Sequence, residues 1–181
     1  GNGSDTQNTL PPDVIYGGAG DDIIAAGTYG ADNPLDEAVL NGGTGDDVLV
    51  AVSGKVTATG STGRDVFALY SDHQNVNMFI TDFNASVDRI DLSGLSLLKN
   101  MADVDRAQAL SNIIQNALHP SVGSTQLDLT QYLSNAAPGA HATITLNSVA
   151  DGNLNAQSFI FDKPEWQVTN WHINLDPLVH S

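Results

Sequence analysis

The sequence predicts a mainly β chain: a right-handed parallel β-roll continued by a β-rich cap with one inserted α-helix. Three observations carry that expectation. A nonapeptide rich in glycine and aspartate, GGAGDDIIA at Gly17–Ala25, returns as GGTGDDVLV at Gly42–Val50. Two weaker copies follow the second without a gap and keep its phase. Further on, MADVDRAQALSNIIQNALH spaces its apolar residues three and four apart, the period of a helix.

The repeat reads G-G-x-G-x-D-x-U-x, with U a large apolar residue. Ala51–Thr59 keeps only the fourth-place Gly54, and Gly60–Ala68 recovers Gly60, Gly63, Asp65 and Phe67, so strong and degenerate copies alternate. In a parallel β-roll six residues make a turn and three a short strand, and two nonapeptides complete one coil. Turns 18 residues apart therefore stack on one edge. Gly42 and Gly60 are 18 apart; Gly17 and Gly42 are 25 apart, and the extra seven fit an insertion within the loop AGTYGADN. GNGSD supplies places two to six of an earlier turn, ending at Asp5, 17 residues before Asp22. Four turns ending in Asp5, Asp22, Asp47 and Asp65 are expected on one edge. The opposite edge, with turns near Asn8–Asp13, Asn33–Ala38 and Ala51–Val56, has lost the glycines and most of the acid.

A chain of 181 residues, 41% hydrophobic, is long enough for one body in two parts. Its net charge of −15, from 21 acidic against 6 basic residues, argues against nucleic acid and leaves cations as natural partners. There is no cysteine, so disulfides and thiolate metal sites are excluded. No apolar run reaches membrane-spanning length and the N-terminus lacks the pattern of a secretory leader, so no membrane insertion is expected. The chain opens in mid-pattern, as a piece of a longer polypeptide would.

Adjacent aspartates repel, and glycine is entropically costly to order. A cation between turns offsets both penalties. The glycines let the backbone take positive φ and turn carbonyls inward, and the sixth-place aspartate adds a charged oxygen. Two stacked turns together can give Ca²⁺ the six or so oxygens it takes. The plainer alternatives are ordinary β-turns using Asp and Gly for conformation alone, and an acidic surface that only confers solubility. Asp21 and Asp46, at the fifth place, are expected to face solvent.

These nonapeptides resemble the RTX family, the calcium-binding C-terminal regions of Gram-negative proteins exported by type I secretion. Asp65–Leu95, DVFALYSDHQNVNMFITDFNASVDRIDLSGL, resembles the segment that caps the β-roll in serralysin-type proteases, alginate epimerase R-modules and large RTX adhesins. Ile80, Phe83, Ile90 and Leu92 are its apolar points, with Asp82, Asp88 and Asp91 between them. LNAQSFIF, Leu154–Phe161, resembles the final strand of that cap. The resemblance covers roughly residues 1–95 and 142–161. It implies calcium sites between Asp5 and Asp22, Asp22 and Asp47, and Asp47 and Asp65. The carbonyls of places one to four would complete them: Gly17, Gly18, Ala19 and Gly20; Gly42, Gly43, Thr44 and Gly45; Gly60, Ser61, Thr62 and Gly63. Asp88 and Asp91 are expected in capping or turn roles, a further calcium being the alternative.

The expected division is a roll over 1–77, a cap over 78–161 with a helix at about 102–119, and a tail over 162–181. Val104, Ala107, Leu110, Ile113, Ile114, Ala117 and Leu118 share one helical stripe, with Pro120 ending it. A buried stripe is expected, and a partner-binding helix is the alternative. The tail, with Trp166, Trp171, Ile173, Leu175, Leu178 and Val179, is apolar enough to dock and is the candidate secretion signal. The five histidines, His73, His119, His141, His172 and His180, are scattered, and neither a zinc-protease helix nor a serine elbow is present. No catalysis is expected within this chain. The functional expectation is a monomeric calcium-binding domain of a larger protein that passes a type I ABC transporter, folds on extracellular Ca²⁺, and reaches the medium or cell surface of a Gram-negative bacterium. The alternative is a carbohydrate-binding module of the alginate epimerase R-module type. The scarcity of Lys and Arg argues against an anionic sugar, and Trp166 and Trp171 offer a platform for a neutral one.

Overall fold

The computed structural model describes residues 12–27, 37–71, 75–99, 101–121, 123–133, 138–147, 149 and 154–161. Asp5, the loop after Gly27, His73 and the tail from 162 onward lie outside them, so the expectations placed there are not addressed by the fold.

The chain alternates between two sheets. Strands β1 (Asp13–Ala19), β3 (Glu37–Thr44), β5 (Gly54–Thr62) and β7 (Val76–Ile80) pair in parallel in one; β2 (Ile23–Ala26), β4 (Val48–Ala51), β6 (Val66–Leu69) and β8 (Arg89–Asp91) pair in parallel in the other. This is the parallel β-roll the repeat predicts. Equivalent places stack coil upon coil. Ile15, Leu40, Ala58, Ile80 and Leu146 lie in one register row, and Ile24, Leu49, Phe67, Ile90 and Phe159 in the row facing it from the other sheet. These two rows are the centre of the core. Each large side chain sealed there contributes roughly 1.5–3 kcal/mol. All four residues of β4 are buried, because Val48 and Val50 join a second apolar cluster on the sheet's other face.

The strands of the repeats, β1 to β6, are longer than three residues. β1, β3 and β5 of the first sheet run seven to nine, because the degenerate nonapeptides, stripped of turn glycines, continue as extended chain. The expected turn at Ala51–Val56 shrinks to Val52 and Ser53, and Glu37 and Ala38, expected in a turn, begin β3.

The cap does not begin beyond the roll. β7 crosses the boundary expected at 77, and β7 and β8 simply continue both sheets. The first sheet then extends through β11 (Ala142–Asn147), parallel to β7, and β10 (Ser124–Asp128) and β9 (Leu118–Ser121), both antiparallel. β12 (Phe159–Ile160) closes the second sheet beside β8. It is shorter than the expected strand at 154–161, since Ala156–Ser158 forms a 3₁₀ turn capped reciprocally by Asn155 and Ser158.

A short helix, α1 (Ser96–Lys99), precedes the inserted helix, α2 (Asp103–Gln115). α2 stops short of the expected 119. The Asn116 amide donates back to the Asn112 carbonyl and the Ala117 amide to the Ile114 carbonyl, and Leu118 and Pro120 enter β9, so Pro120 does not end the helix. Ala109, Leu110 and Ile113 form its buried face. Val104 is 76% exposed, being about 120° around the helix from Leu110. Ala107 is also exposed.

Candidate metal centre

Gly17–Asp22, Gly42–Asp47 and Gly60–Asp65 join the first sheet to the second and stack along one edge. The register aligns Gly18, Gly43 and Ser61 at place two, and Ala19, Thr44 and Thr62 at place three. Of the sixteen residues expected to bind metal, fifteen therefore fall in three superposed turns, and Asp5 lies outside the described residues.

Each glycine of the motif has its own physical reason. At place two the backbone is left-handed, φ 111° at Gly18 and 110° at Gly43. Ser61 takes the same conformation at φ 74°, the one described non-glycine residue with positive φ. Place four is left-handed in all three turns as well. Place one is different: a Cβ on Gly42 or Gly60 would collide with the Oδ2 of Asp47 or Asp65 in the same turn. Glycine is needed there because the sixth-place carboxylate folds back over it.

Those carboxylates form a ladder. The Asp22 amide donates to Asp47 Oδ1 at 2.8 Å, and the Asp47 amide to Asp65 Oδ1 at 3.0 Å. The ladder runs on into the cap, where the Asp65 amide donates to Asp88 Oδ1 at 3.0 Å. Asp88 was readable from the sequence as a capping residue, but not as the next rung. Asp91 accepts from the Ser93 amide in a local turn, as expected of it.

The ladder leaves charge buried. Asp47 is fully buried and Asp65 is 3% exposed. Burial pushes the Asp65 carboxyl up to about 6; the hydrogen bond from the Asp47 amide opposes this, and the charges of Asp88, Asp47 and Asp82 add to it. Burial likewise raises Asp47, opposed by the Asp22 amide and reinforced by Asp22, Asp21 and Asp46. The Oδ2 atoms of Asp22 and Asp47 are buried and meet no hydrogen-bond donor.

This donor set fits a hard cation. Two anionic oxygens without donors stand on one edge, and among the described residues no three carboxylate or imidazole groups converge on a point. Backbone carbonyls are the further protein oxygens these turns offer in number. The turns present them: Gly18 O lies against Gly43, Gly20 O against Gly45, and Gly45 O against Gly63, each so close that a side chain could not intervene. Place-three carbonyls are engaged between turns, Thr44 O accepting from the Gly20 amide at 2.8 Å and Thr62 O from the Gly45 amide at 3.0 Å. Such oxygen-only, carbonyl-rich sites suit Ca²⁺ better than Mg²⁺ or a transition metal.

The fifth-place residues do more than face water. Asp21 Oδ1 accepts from the Asp46 amide at 2.8 Å, and Asp46 accepts from the Arg64 amide at 2.9 Å and Arg64 Nε at 3.0 Å. The Arg64 side chain holds the Asp46 carboxyl below the usual range. A second, exposed ladder thus ties the turns together outside the first. Sequence spacing alone hid it, because its partners lie 25 and 18 residues apart.

Among the described residues, no helix is long and apolar enough to cross a membrane. Comparison with curated proteins finds no match. Among solved structures, the AlgE6R3 subunit of the mannuronan C5-epimerase from Azotobacter vinelandii is similar. It is 21% identical, with 84% of this chain and 81% of that chain covered and a TM-score of 0.31. The family described as "Peptidase M10 serralysin C terminal" matches residues 13–156. That match runs from the first residue of β1 to the start of the last 3₁₀ turn, most of the sequence, and the chain belongs to the serralysin C-terminal family.

Proposed function

We propose that this chain is the calcium-responsive folding module of a larger exported protein, non-catalytic in itself, with Ca²⁺ held between the stacked turns. The observation that carries the reading is the pair of buried carboxylate oxygens, Asp22 Oδ2 and Asp47 Oδ2, with no donor to meet them. Serralysin C-terminal domains are RTX-type and generally calcium-binding, which supports it. Asp22, Asp47 and Asp65 would hold the ions, with carbonyls of Gly17–Gly20, Gly42–Gly45 and Gly60–Gly63; Asp5 is a further proposed ligand. Calcium, when bound, supplies the positive charge this edge needs, and its binding free energy becomes folding free energy.

The physical logic follows from the ladder. In a calcium-poor cytosol, burying Asp47 and Asp65 as anions penalises the fold, so the chain stays extended enough to thread a type I ABC transporter. In a calcium-rich medium the penalty is relieved and the roll closes. We place the export signal in residues 162–181 on the family resemblance. Fusing the chain behind a slow-folding passenger and deleting 162–181 tests this in a matched transporter strain. Retained export by a truncated chain that still folds with calcium would remove the signal from the tail.

One feature favours a second reading, a glycan-binding module. A cavity of about 510 Å³ between the 81–88 turn and the 3₁₀ turn at 156–158 is lined by Phe83, Asn84, Arg89, Asn155 and Gln157. Side-chain amides and a guanidinium together suit sugar hydroxyls, with the buried Phe83 forming the floor. Loss of glycan binding on Arg89→Ala at fixed calcium would support it, and no binding by the wild type would dismiss it.

A further inference from the structure

The gap that follows the third repeat turn differs from the two before it. In the first two gaps Asp47 Oδ1 accepts the Asp22 amide and Asp65 Oδ1 the Asp47 amide, while Asp22 Oδ2 and Asp47 Oδ2 meet no donor. Beyond Gly60–Asp65 the neighbour is the longer turn 81–88 that joins β7 to β8. There Asp82 uses both its oxygens: the Gly60 amide donates to Oδ1 at 3.0 Å and the Ser61 amide to Oδ2 at 2.8 Å. Asp88 also uses both, accepting the Asp65 amide on Oδ1 and the Asn84 amide on Oδ2 at 2.7 Å.

We infer that Asp82 and Asp88 terminate the calcium row: they hold the last repeat turn by carboxylate–amide hydrogen bonds, and no ion sits between that turn and the cap. This rests on the calcium reading above and adds where the row stops. Amides donating to a carboxylate offset its negative charge with partial positive charge, as a cation would, and they take one acceptor site on each oxygen. The four oxygens of Asp82 and Asp88 are each matched to one amide. An ion entering this gap would compete with four amides for oxygens whose charge they already offset, whereas Asp22 Oδ2 and Asp47 Oδ2 hold no amide at all. The same contacts bear on Ser61. Its amide is aimed at Asp82 by the left-handed backbone that glycine adopts at place two elsewhere, so Asp82 helps to hold a serine in a conformation unfavourable to it. Asp82 and Asp88 are thus positioning residues for the final turn rather than ligands.

The test counts calcium bound per chain at saturation, by equilibrium dialysis, in wild type, Asp82→Asn, Asp88→Asn and Asp47→Asn. Amide hydrogen exchange is followed on the same samples. The wild-type count is expected to survive in Asp82→Asn and Asp88→Asn and to fall by at least one in Asp47→Asn. Exchange at Gly60 and Ser61 should accelerate at least tenfold in Asp82→Asn, because an asparagine amide group presents donors where one of the two amides needs an acceptor. One ion fewer in either cap variant would overturn the inference. If a variant does not fold, wild-type crystals soaked in Tb³⁺ decide it: anomalous density between Asp65 and Asp82 contradicts the inference, and density confined to the earlier gaps upholds it. Should the wild type bind no calcium at all, the calcium reading fails by itself. Exchange at Gly60 and Ser61 then still decides whether Asp82 holds the turn, with unchanged rates in Asp82→Asn overturning it.

Discussion

Replacing Asp65 by asparagine removes one charge from the middle of the buried ladder while keeping its shape. The Oδ1 acceptor for the Asp47 amide survives, so the change isolates charge. In the calcium-free fold the Asp65 carboxyl is raised to about 6 from an ordinary 3.8. Well below pH 3.8 both folded and unfolded chains carry it protonated and it imposes no penalty; between 3.8 and 6 the unfolded chain ionises while the folded one stays protonated, and the penalty grows. As pH rises through 6 the folded chain must ionise a group that burial keeps neutral, and the penalty reaches its full value near pH 7. Roughly two pH units correspond to about 3 kcal/mol. A neutral asparagine bears no such penalty, so in chelator at pH 7 Asp65→Asn should be more stable than wild type by on the order of 1–3 kcal/mol. With saturating calcium the sign reverses, because an anionic ligand has been lost. A contact of that kind contributes about 1.5–3 kcal/mol, so the calcium midpoint should rise about tenfold or more. Circular dichroism in urea measures both arms, between pH 5 and 7 to stay above the isoelectric point near 4.1. In chelator the wild type should gain structure as pH falls across that window, and the variant should gain less. A variant less stable than wild type in both chelator and calcium would refute the reasoning.

The same edge makes four further outcomes measurable. Asp47→Ala should raise the calcium midpoint for folding far more than Asp13→Ala, since Asp47 faces two gaps and Asp13 is exposed at the start of β1; equal effects in a calcium titration would remove the one-edge assignment. Gly42→Ala, which drives a methyl group into Asp47 Oδ2, should cost at least about 2 kcal/mol by calcium-saturated urea unfolding, against under about 1 kcal/mol for an exposed position. Ser61→Gly relieves a left-handed serine worth about 1–2 kcal/mol but adds chain entropy of roughly 0.5–1 kcal/mol, so the melting temperature should stay level or rise slightly. Calcium uptake in lightly buffered solution at pH 6 should release protons, chiefly from Asp65, and a pH electrode records it; uptake without release would mean that Asp65 is already ionised.

The roll was legible in the sequence because each place of the nonapeptide answers to a local requirement. Glycine at place two follows from positive φ, and aspartate at place six from the need for an anionic oxygen. Spacing by 18 then stacked Gly42–Asp47 on Gly60–Asp65, and the observed registers reproduce that stacking. What escaped was set by neighbours distant in sequence. The Asp21–Asp46–Arg64 ladder and the Asp82 contacts to Gly60 and Ser61 join residues 18 to 25 apart through backbone amides, which carry no side-chain signature. Leu118 left the helix for the same reason: β10 offered its backbone an edge to pair with, and that pairing overrode the local helical period. The role of Gly60 at place one was also hidden, because it depends on how far the Asp65 carboxylate folds back.

On this edge cation binding and folding are proposed to be one event. Far-ultraviolet circular dichroism of the whole chain, first in excess chelator and then with millimolar Ca²⁺ or Mg²⁺ added, tests this most directly. The expected result is a mostly disordered spectrum in chelator, cooperative gain of β structure with Ca²⁺, and little gain with Mg²⁺, which tolerates a flexible carbonyl-rich site poorly. A fully folded spectrum in chelator, with a melting temperature that calcium does not move, would contradict it.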